Sequence, residues 1–167
     1  MQTLELLAPA KNLDCGIAAV DHGADAIYIG ASHHGARAAA GNSIEDIRSL
    51  CNYAHRFGVS VHATVNTIVY DQEVDEALEL VDQLADAGVD ALLIQDMGLL
   101  SLITDDSPLA MKLRQKRIAL HASTQCDTRS AEKVKSPSGL GFDRAVPARA
   151  LSVEEISAIH DSAPNVE

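Results

Sequence analysis

Aromatic side chains are scarce: the 167 residues include no tryptophan, two phenylalanines and three tyrosines. With 47% of residues hydrophobic, the core must come from Ala, Val, Leu and Ile, which suits tightly layered α/β proteins. The three cysteines, Cys15, Cys51 and Cys126, are far apart and form no CxxC pair. That excludes a disulfide framework and a closed zinc site, and reads as reduced thiols in the cytoplasm. No apolar run approaches the length of a membrane span, and the start, MQTLELLAP, is short and carries Glu5, so no membrane partner is expected. Positive charge is also in deficit. Thirteen Lys and Arg face 24 Asp and Glu, a net charge of −11. Such a surface is unsuited to non-specific nucleic-acid binding, but it leaves room for a locally basic cleft.

What is present is a repeat. HGADAIYIG (22–30), FGVSVHATVN (57–66), AGVDALLIQD (87–96) and LGFDRAVPAR (140–149) each place a glycine, a small or apolar residue and a polar one before an apolar run. Glycine ends a helix in the left-handed conformation and a strand follows, so each repeat marks one βα unit. The pattern predicts strands near 4–8, 25–30, 59–65, 91–95, 117–122 and 143–148, with helices between them. Helix 43–57 has Ser43 as N-cap and an inward stripe of Ile44, Ile47, Leu50, Cys51 and Ala54. Helix 71–87 directs Val74, Leu78, Val81 and Leu84 inward and its acids to solvent. Weaker helices cover 11–22 and 152–161, the latter with Ser152 and Glu155 in capping-box spacing. Alternating β and α elements imply a parallel sheet, either an open doubly wound one or a (β/α) barrel. No GxGxxG follows the first strand, which weakens the open dinucleotide-binding form.

Chemistry-bearing residues collect after the strands. The loop 31–42, ASHHGARAAAGN, holds His33, His34, Arg37 and Asn42. Asn66 and Thr67 follow the third strand, Gln95 and Asp96 the fourth, His121 to Gln125 the fifth, and Arg149 the sixth. Parallel strands bring all these ends to one face, where α/β barrels carry their active sites. Alternation puts His62, Thr64 and Asn66 on one strand face, and likewise His121 and Ser123. Burying these under helices would be costly unless each were paired, so a barrel with a polar upper lumen is favoured.

The stretch LHASTQCDT (120–128) invites a nucleophile. His121 and Ser123 share a face and Asp96 could orient the imidazole, giving a candidate catalytic set of His121, Ser123 and Asp96. No nucleophile elbow surrounds the serine, however, and a hydrogen-bonded lumen network accounts for the pair more simply. Cys126 would need a depressed pKa to act, and is simpler as a small residue at a helix start. His33, His34, His62 and His121 with Asp96 lack HxH or HExxH spacing, so no metal is expected. Arg37 and Arg149 suit bidentate binding of a carboxylate or phosphate, with salt bridges to loop acids as the equal alternative. Asn66 and Gln125 complete the candidate substrate-binding set.

ELLAPA, GADAIYIG followed by GARAAAGN, VNT, IQDMG, HASTQ and ARALSVEEI, in this order along nearly the whole chain, resemble the collagenase-like peptidase family U32. The family carries a barrel-like catalytic region. Its members are described as peptidases, and relatives are similar to prephenate-dependent hydroxylation factors for tRNA or 23S rRNA. The resemblance implies a single (β/α)-barrel domain over 1–167, the N-terminal part of a longer protein. About six βα units are present, so the barrel is partial or truncated. It also implies an enzyme when full-length, this segment alone being inactive. A small carboxylate such as prephenate would bind at the C-terminal face, and tRNA or rRNA would be a partner through downstream domains. An iron–sulfur cluster would sit on cysteines of a later segment, with no cofactor in this one. Lys11, Ser43, Pro147 and Ala150 depart from the family pattern, and 135–141 is irregular where a helix would stand. Two other readings remain open: a non-catalytic partner barrel in a larger complex, and a metal-dependent barrel hydrolase. Unpaired sheet edges of a partial barrel predict a homo-oligomer or a disordered C-terminus.

Overall fold

The structure, a computed structural model, describes residues 4–31, 41–130, 132–134 and 140–167. The strands are β1 (Leu7–Ala10), β2 (Ala26–Gly30), β3 (Ser60–Val65), β4 (Ala91–Ile94), β5 (Ala119–Ala122) and β6 (Arg144–Ala145). The helices used below are α1 (Leu13–Asp21), α2 (Ile44–Ala54), α3 (Val74–Ala87), α4 (Met97–Thr104), α5 (Pro108–Lys116) and α6 (Val153–Ser162). All six strands are parallel and lie in the order β1-β2-β3-β4-β5-β6. A doubly wound sheet would reverse direction at a switch point. Here every crossover proceeds the same way, so the helices cover one face and the sheet curves into a half-barrel.

Register sets which residues point where. Tyr28 is level with His62, and Leu93 with His121, which is level with Arg144. The alternate residues, Ile27, Ile29, Val61, Ala63, Val65, Leu92, Ile94, Leu120 and Ala122, are buried in the main core with the helices. α2 buries Ile47, Leu50, Cys51 and Ala54 behind a Ser43–Asp46 capping box. Gly16 of α1 lets α2 come close: a Cβ there would stand 2.6 Å from Leu50 Cδ1. A second cluster, Val134, Ile159, Ala163 and Val166, packs α6 near the end of the sheet.

The repeated phrase works at the lower edge of the sheet. Gly23, Gly58, Gly88 and Gly141 have φ of 89°, 72°, 97° and 92°. The apolar residues after them, Ala24, Val59, Val89 and Phe142, are buried. Next comes an aspartate before each even strand, and each makes the same reciprocal ring with the strand before it. Leu6 N–H donates to Asp25 Oδ2 (2.8 Å) while Asp25 N–H donates to Leu6 O (3.0 Å). Val61 N–H donates to Asp90 Oδ2 (2.7 Å) and Asp90 N–H to Val61 O (2.8 Å). Leu120 N–H donates to Asp143 Oδ2 (2.8 Å) and Asp143 N–H to Leu120 O (2.8 Å). Arg117, with φ 58°, holds the left-handed position before β5, where the other units have glycine.

Several expectations shift. β1 spans 7–10 rather than 4–8, because Leu6 N–H is taken by Asp25 and pairing with β2 begins at Leu7–Ala26; Pro9 is tolerated on an edge strand. The buried stripe of α3 is Ala77, Leu80, Val81, Leu84 and Ala85, leaving Val74 and Leu78 half-buried. Periodicity assigns no bounds between β4 and β5; the chain there forms two helices, since Ser107 caps a new N-terminus with Pro108 in its first turn. β6 is only two residues long; Val146 N–H still donates to Ala122 O, and Pro147, lacking an N–H, continues no ladder. The irregular stretch 135–141 lies mostly outside the described residues.

The last residues lie beside the sheet. Glu167 N–H donates to Asp143 O (3.1 Å) and Ala145 N–H to Glu167 O (2.8 Å), the two bonds of a parallel bridge beside β6.

Two substitutions test these local devices. Asp90→Ala leaves the buried Val61 amide without its carboxylate and should cost about 1–3 kcal/mol in urea unfolding; an unchanged midpoint would refute the clamp. Arg117→Gly relieves a left-handed non-glycine residue and should stabilise by about 1 kcal/mol, whereas a lower melting temperature would contradict this.

Candidate functional site

The concave face of the half-barrel is polar. Its wall includes Tyr28, His62, Thr64, Asn66, Gln95, His121, Ser123 and Arg144, at alternate positions or just beyond the strands. His62 and His121 are 4% and 5% exposed, and their rings meet edge-to-face with centroids 5.0 Å apart. Burial lowers the pKa of both. For His121, burial first, then the charges of His62 and Arg144, bring it to about 4. Burial therefore favours the neutral form of both imidazoles, so neither adds a cation to the wall at neutral pH.

Below them lies a strut. Arg144 donates to both oxygens of Glu5 (2.6 and 3.2 Å) and to Glu167 Oε2 (2.7 Å). The hydrogen bond from Arg144 holds the Glu5 carboxyl below its usual range. Among the described residues, three buried side-chain atoms have no hydrogen-bond partner: His62 Nδ1, Gln95 Oε1 and Arg144 Nε. All three belong to residues of the concave wall.

Ser123 is buried, and its Oγ accepts from Asn66 Nδ2 (3.1 Å) and from Gln125 N–H (3.3 Å), capping the short turn 124–126. Among the described residues its hydrogen bonds run to those two donors and to no imidazole. Asp96 does not orient His121. It is the N-cap of α4, with Oδ1 accepting from Leu99 N–H (2.8 Å) and Oδ2 from Val69 N–H (3.3 Å). A helix begins at once after it, and capping uses its carboxylate. Gln125 is exposed on the turn, and Arg149 is exposed in the turn leading to α6. Arg37, with His33 and His34, lies outside the described residues. Asn42 closes the base of that loop, donating to Gly30 O (2.8 Å) and Lys11 O (3.1 Å).

Cys126 is half-buried, its Sγ 3.4 Å from Ile94 O, and burial pushes its pKa up. It remains a thiol. Among the described residues no three His, Cys, Asp or Glu side chains gather in a way that could hold a metal ion. Sequence reasoning missed Arg144 and Glu5. The signal was an arginine inside an assigned strand, which must find a partner on whichever face it takes. Two shallow clefts open at the C-terminal rim. One, of about 380 Å³, lies between Val69, Asp71 and α4; the other, of about 240 Å³, lies between Asn12 and Asp46.

The family model for peptidase family U32 matches residues 11–167. The chain belongs to peptidase family U32. It is 46% identical over 159 residues to the 23S rRNA 5-hydroxycytidine C2501 synthase of Escherichia coli strain K12, covering 95% of this chain and 23% of that protein. It is 32% identical over 169 residues to the tRNA hydroxylation protein P of Helicobacter pylori strain 26695, covering 100% of this chain and 38% of that one. The chain thus spans well under half the length of either relative. The solved structure of the U32 peptidase Mk0906 superposes with a TM-score of 0.75 at 19% identity, over 97% of this chain and 66% of that one. At that identity the likeness speaks to the fold, a barrel-type one. No described helix is long and apolar enough to cross a membrane.

The His121 environment predicts a pH dependence. Its folded pKa, about 4, lies below the ordinary 6.5, so its stabilising effect is complete above pH 6.5 and is lost as pH falls towards 4. In urea unfolding, lowering pH from 7 to 4.5 should cost the native protein about 2 kcal/mol more than a His121→Gln variant. Equal losses in the two would refute it.

Proposed function

We propose that this half-barrel is part of an RNA-hydroxylation factor, and that its C-terminal mouth binds a small carboxylate such as prephenate. The observation carrying this reading is the character of the wall. It offers neutral imidazoles, an amide and hydroxyls fixed by hydrogen bonds, but no activated nucleophile. Ser123 Oγ is engaged by two donors and Cys126 is held as the thiol, so both groups a protease would use are unfavourably placed. The rRNA and tRNA hydroxylation relatives support an RNA substrate. A charged clamp for the carboxylate comes from Arg149, and from Arg37 on the 31–42 loop. His121 and Asn66 act as neutral donors that orient the bound anion, and burial of the wall strengthens those bonds.

Hydroxylation of a base is an oxidation and needs a redox partner. The described residues do not fit an iron–sulfur cluster, since Cys15, Cys51 and Cys126 are exposed, buried and half-buried on separate elements. Any such group would be bound outside this half-barrel.

Isothermal titration of prephenate into the full-length protein tests the reading, with modified nucleosides scored by mass spectrometry. Binding should weaken at least tenfold in Arg149→Ala and in His121→Ala, and hydroxycytidine or hydroxyuridine should fall with it. Undiminished binding and modification in both variants would reject the site. Peptide hydrolysis abolished by Ser123→Ala would reject the function in favour of a protease.

A further inference from the structure

Charge is unevenly spread around the rim of the half-barrel. Residues 71–76, after β3, carry Asp71, Glu73, Asp75 and Glu76 and no Lys or Arg. Residues 129–149, after β5, carry Arg129, Lys133, Lys135, Arg144 and Arg149 against only Glu132 and Asp143. In a chain with 13 basic residues and a net charge of −11, this is a pronounced segregation. Arg144 is committed to the strut within the lumen. Lys135 lies outside the described residues.

The fold gathers the other three. Asp127, at φ 56°, turns the chain just past the Ser123 cap. Its Oδ1 accepts from Arg129 Nε, and its Oδ2 and backbone carbonyl both accept from Lys133 Nζ at 3.0 Å. One carboxylate thus holds two cations whose side chains remain 64% and 51% exposed. Ala148 N–H donates to Thr128 O (3.0 Å), which brings the β6 exit alongside this turn and sets exposed Arg149 next to it. Among the described residues Arg149 has no ion-pair partner. The acids that follow, Glu154 and Glu155, hydrogen-bond the Ser152 cap of α6. The two cations on Asp127, with exposed Arg149 beside them, leave a basic surface on the lip of the mouth, and Asp127 stands four residues beyond Ser123.

We propose that this lip is where the protein grips RNA phosphates. Arg129 and Lys133, steadied by Asp127, contact the backbone flanking the nucleotide presented to the mouth. The acidic stretch after β3 repels the strand from the opposite side, so the RNA enters over β5 and β6. This rests on the RNA reading above and adds the polarity of approach. Phosphate contacts position a nucleic acid without reading its sequence, and each releases counterions, so they are measured by salt dependence.

The test uses full-length protein and a fluorescein-labelled RNA stem–loop with cytidines in a single-stranded loop, followed by anisotropy between 50 and 200 mM KCl. An Arg129→Gln, Lys133→Gln variant should bind about tenfold more weakly at 100 mM, with the log K against log [salt] slope shallower by about 1–2. An Arg114→Gln, Lys116→Gln variant, which removes the same charge from α5, should leave the slope unchanged, and melting temperatures check that both fold. Equal effects of the two variants would reduce the lip to net charge and overturn the proposal. Native affinity and slope in the Arg129/Lys133 variant would overturn it while leaving the RNA reading in place. Failure of the unaltered protein to bind RNA even at 50 mM would sink both, as would these residues binding polyglutamate in preference to RNA.

Discussion

Strand register is the constraint on which this half-barrel depends, and three aspartates hold it. Asp25, Asp90 and Asp143 each trade a carboxylate and an amide with a residue at or next to the start of the preceding strand, Leu6, Val61 and Leu120. The side-chain period of a strand is two, so a slip of one residue would exchange its faces. His62, His121 and Arg144 would then press into the helix layer, and Val61, Leu120 and their neighbours would line the lumen. The carboxylates lock the odd strands at one end, and the glycines before them aim the chain into the even ones. The polar wall at the other end follows from that alignment.

The wall owes its chemical character to burial more than to charge. Two histidines in edge-to-face contact cannot both carry a proton beside Arg144, and desolvation keeps them neutral. Exposed cations stand at the rim, at Arg149 and the Asp127 cluster, where solvent reaches them. Inside the lumen the charge of Arg144 is spent on Glu5 and Glu167, so the exposed cations stand at the lip.

Much of this was legible in the residues. The repeated Gly-x-polar phrase located four of the six units, and alternation in VSVHATVN and IALHAS assigned the polar face. The fifth unit was harder to see because Arg117 occupies its glycine position. The role of the repeat's aspartates was not legible, because a clamp between strands is a long-range contact that no local pattern announces. Asp96 misled for the reverse reason: a carboxylate at a strand end reads equally as catalytic or as the cap of the helix that follows, and α4 begins at once. Arg149 drew attention by its position after a strand, whereas Arg144, two residues past an unremarkable Phe142, reaches the lumen. An arginine inside a strand needs a partner on either face; parity with His121 across β5 and β6 says which face, and it requires the register.

Glu5 and Arg144 are separated by 139 residues, yet they meet side chain to side chain. During synthesis the first strands and helices can pair locally as they emerge, each against its predecessor, with little loop closure to overcome. The strut is different in kind. Glu5 remains an open carboxylate until β6 has been made and laid beside β5, and only then does the floor of the lumen close. The molecule can therefore collect its layers early and acquire its interior late, so that a chain stalled before β6 would own a core without a site.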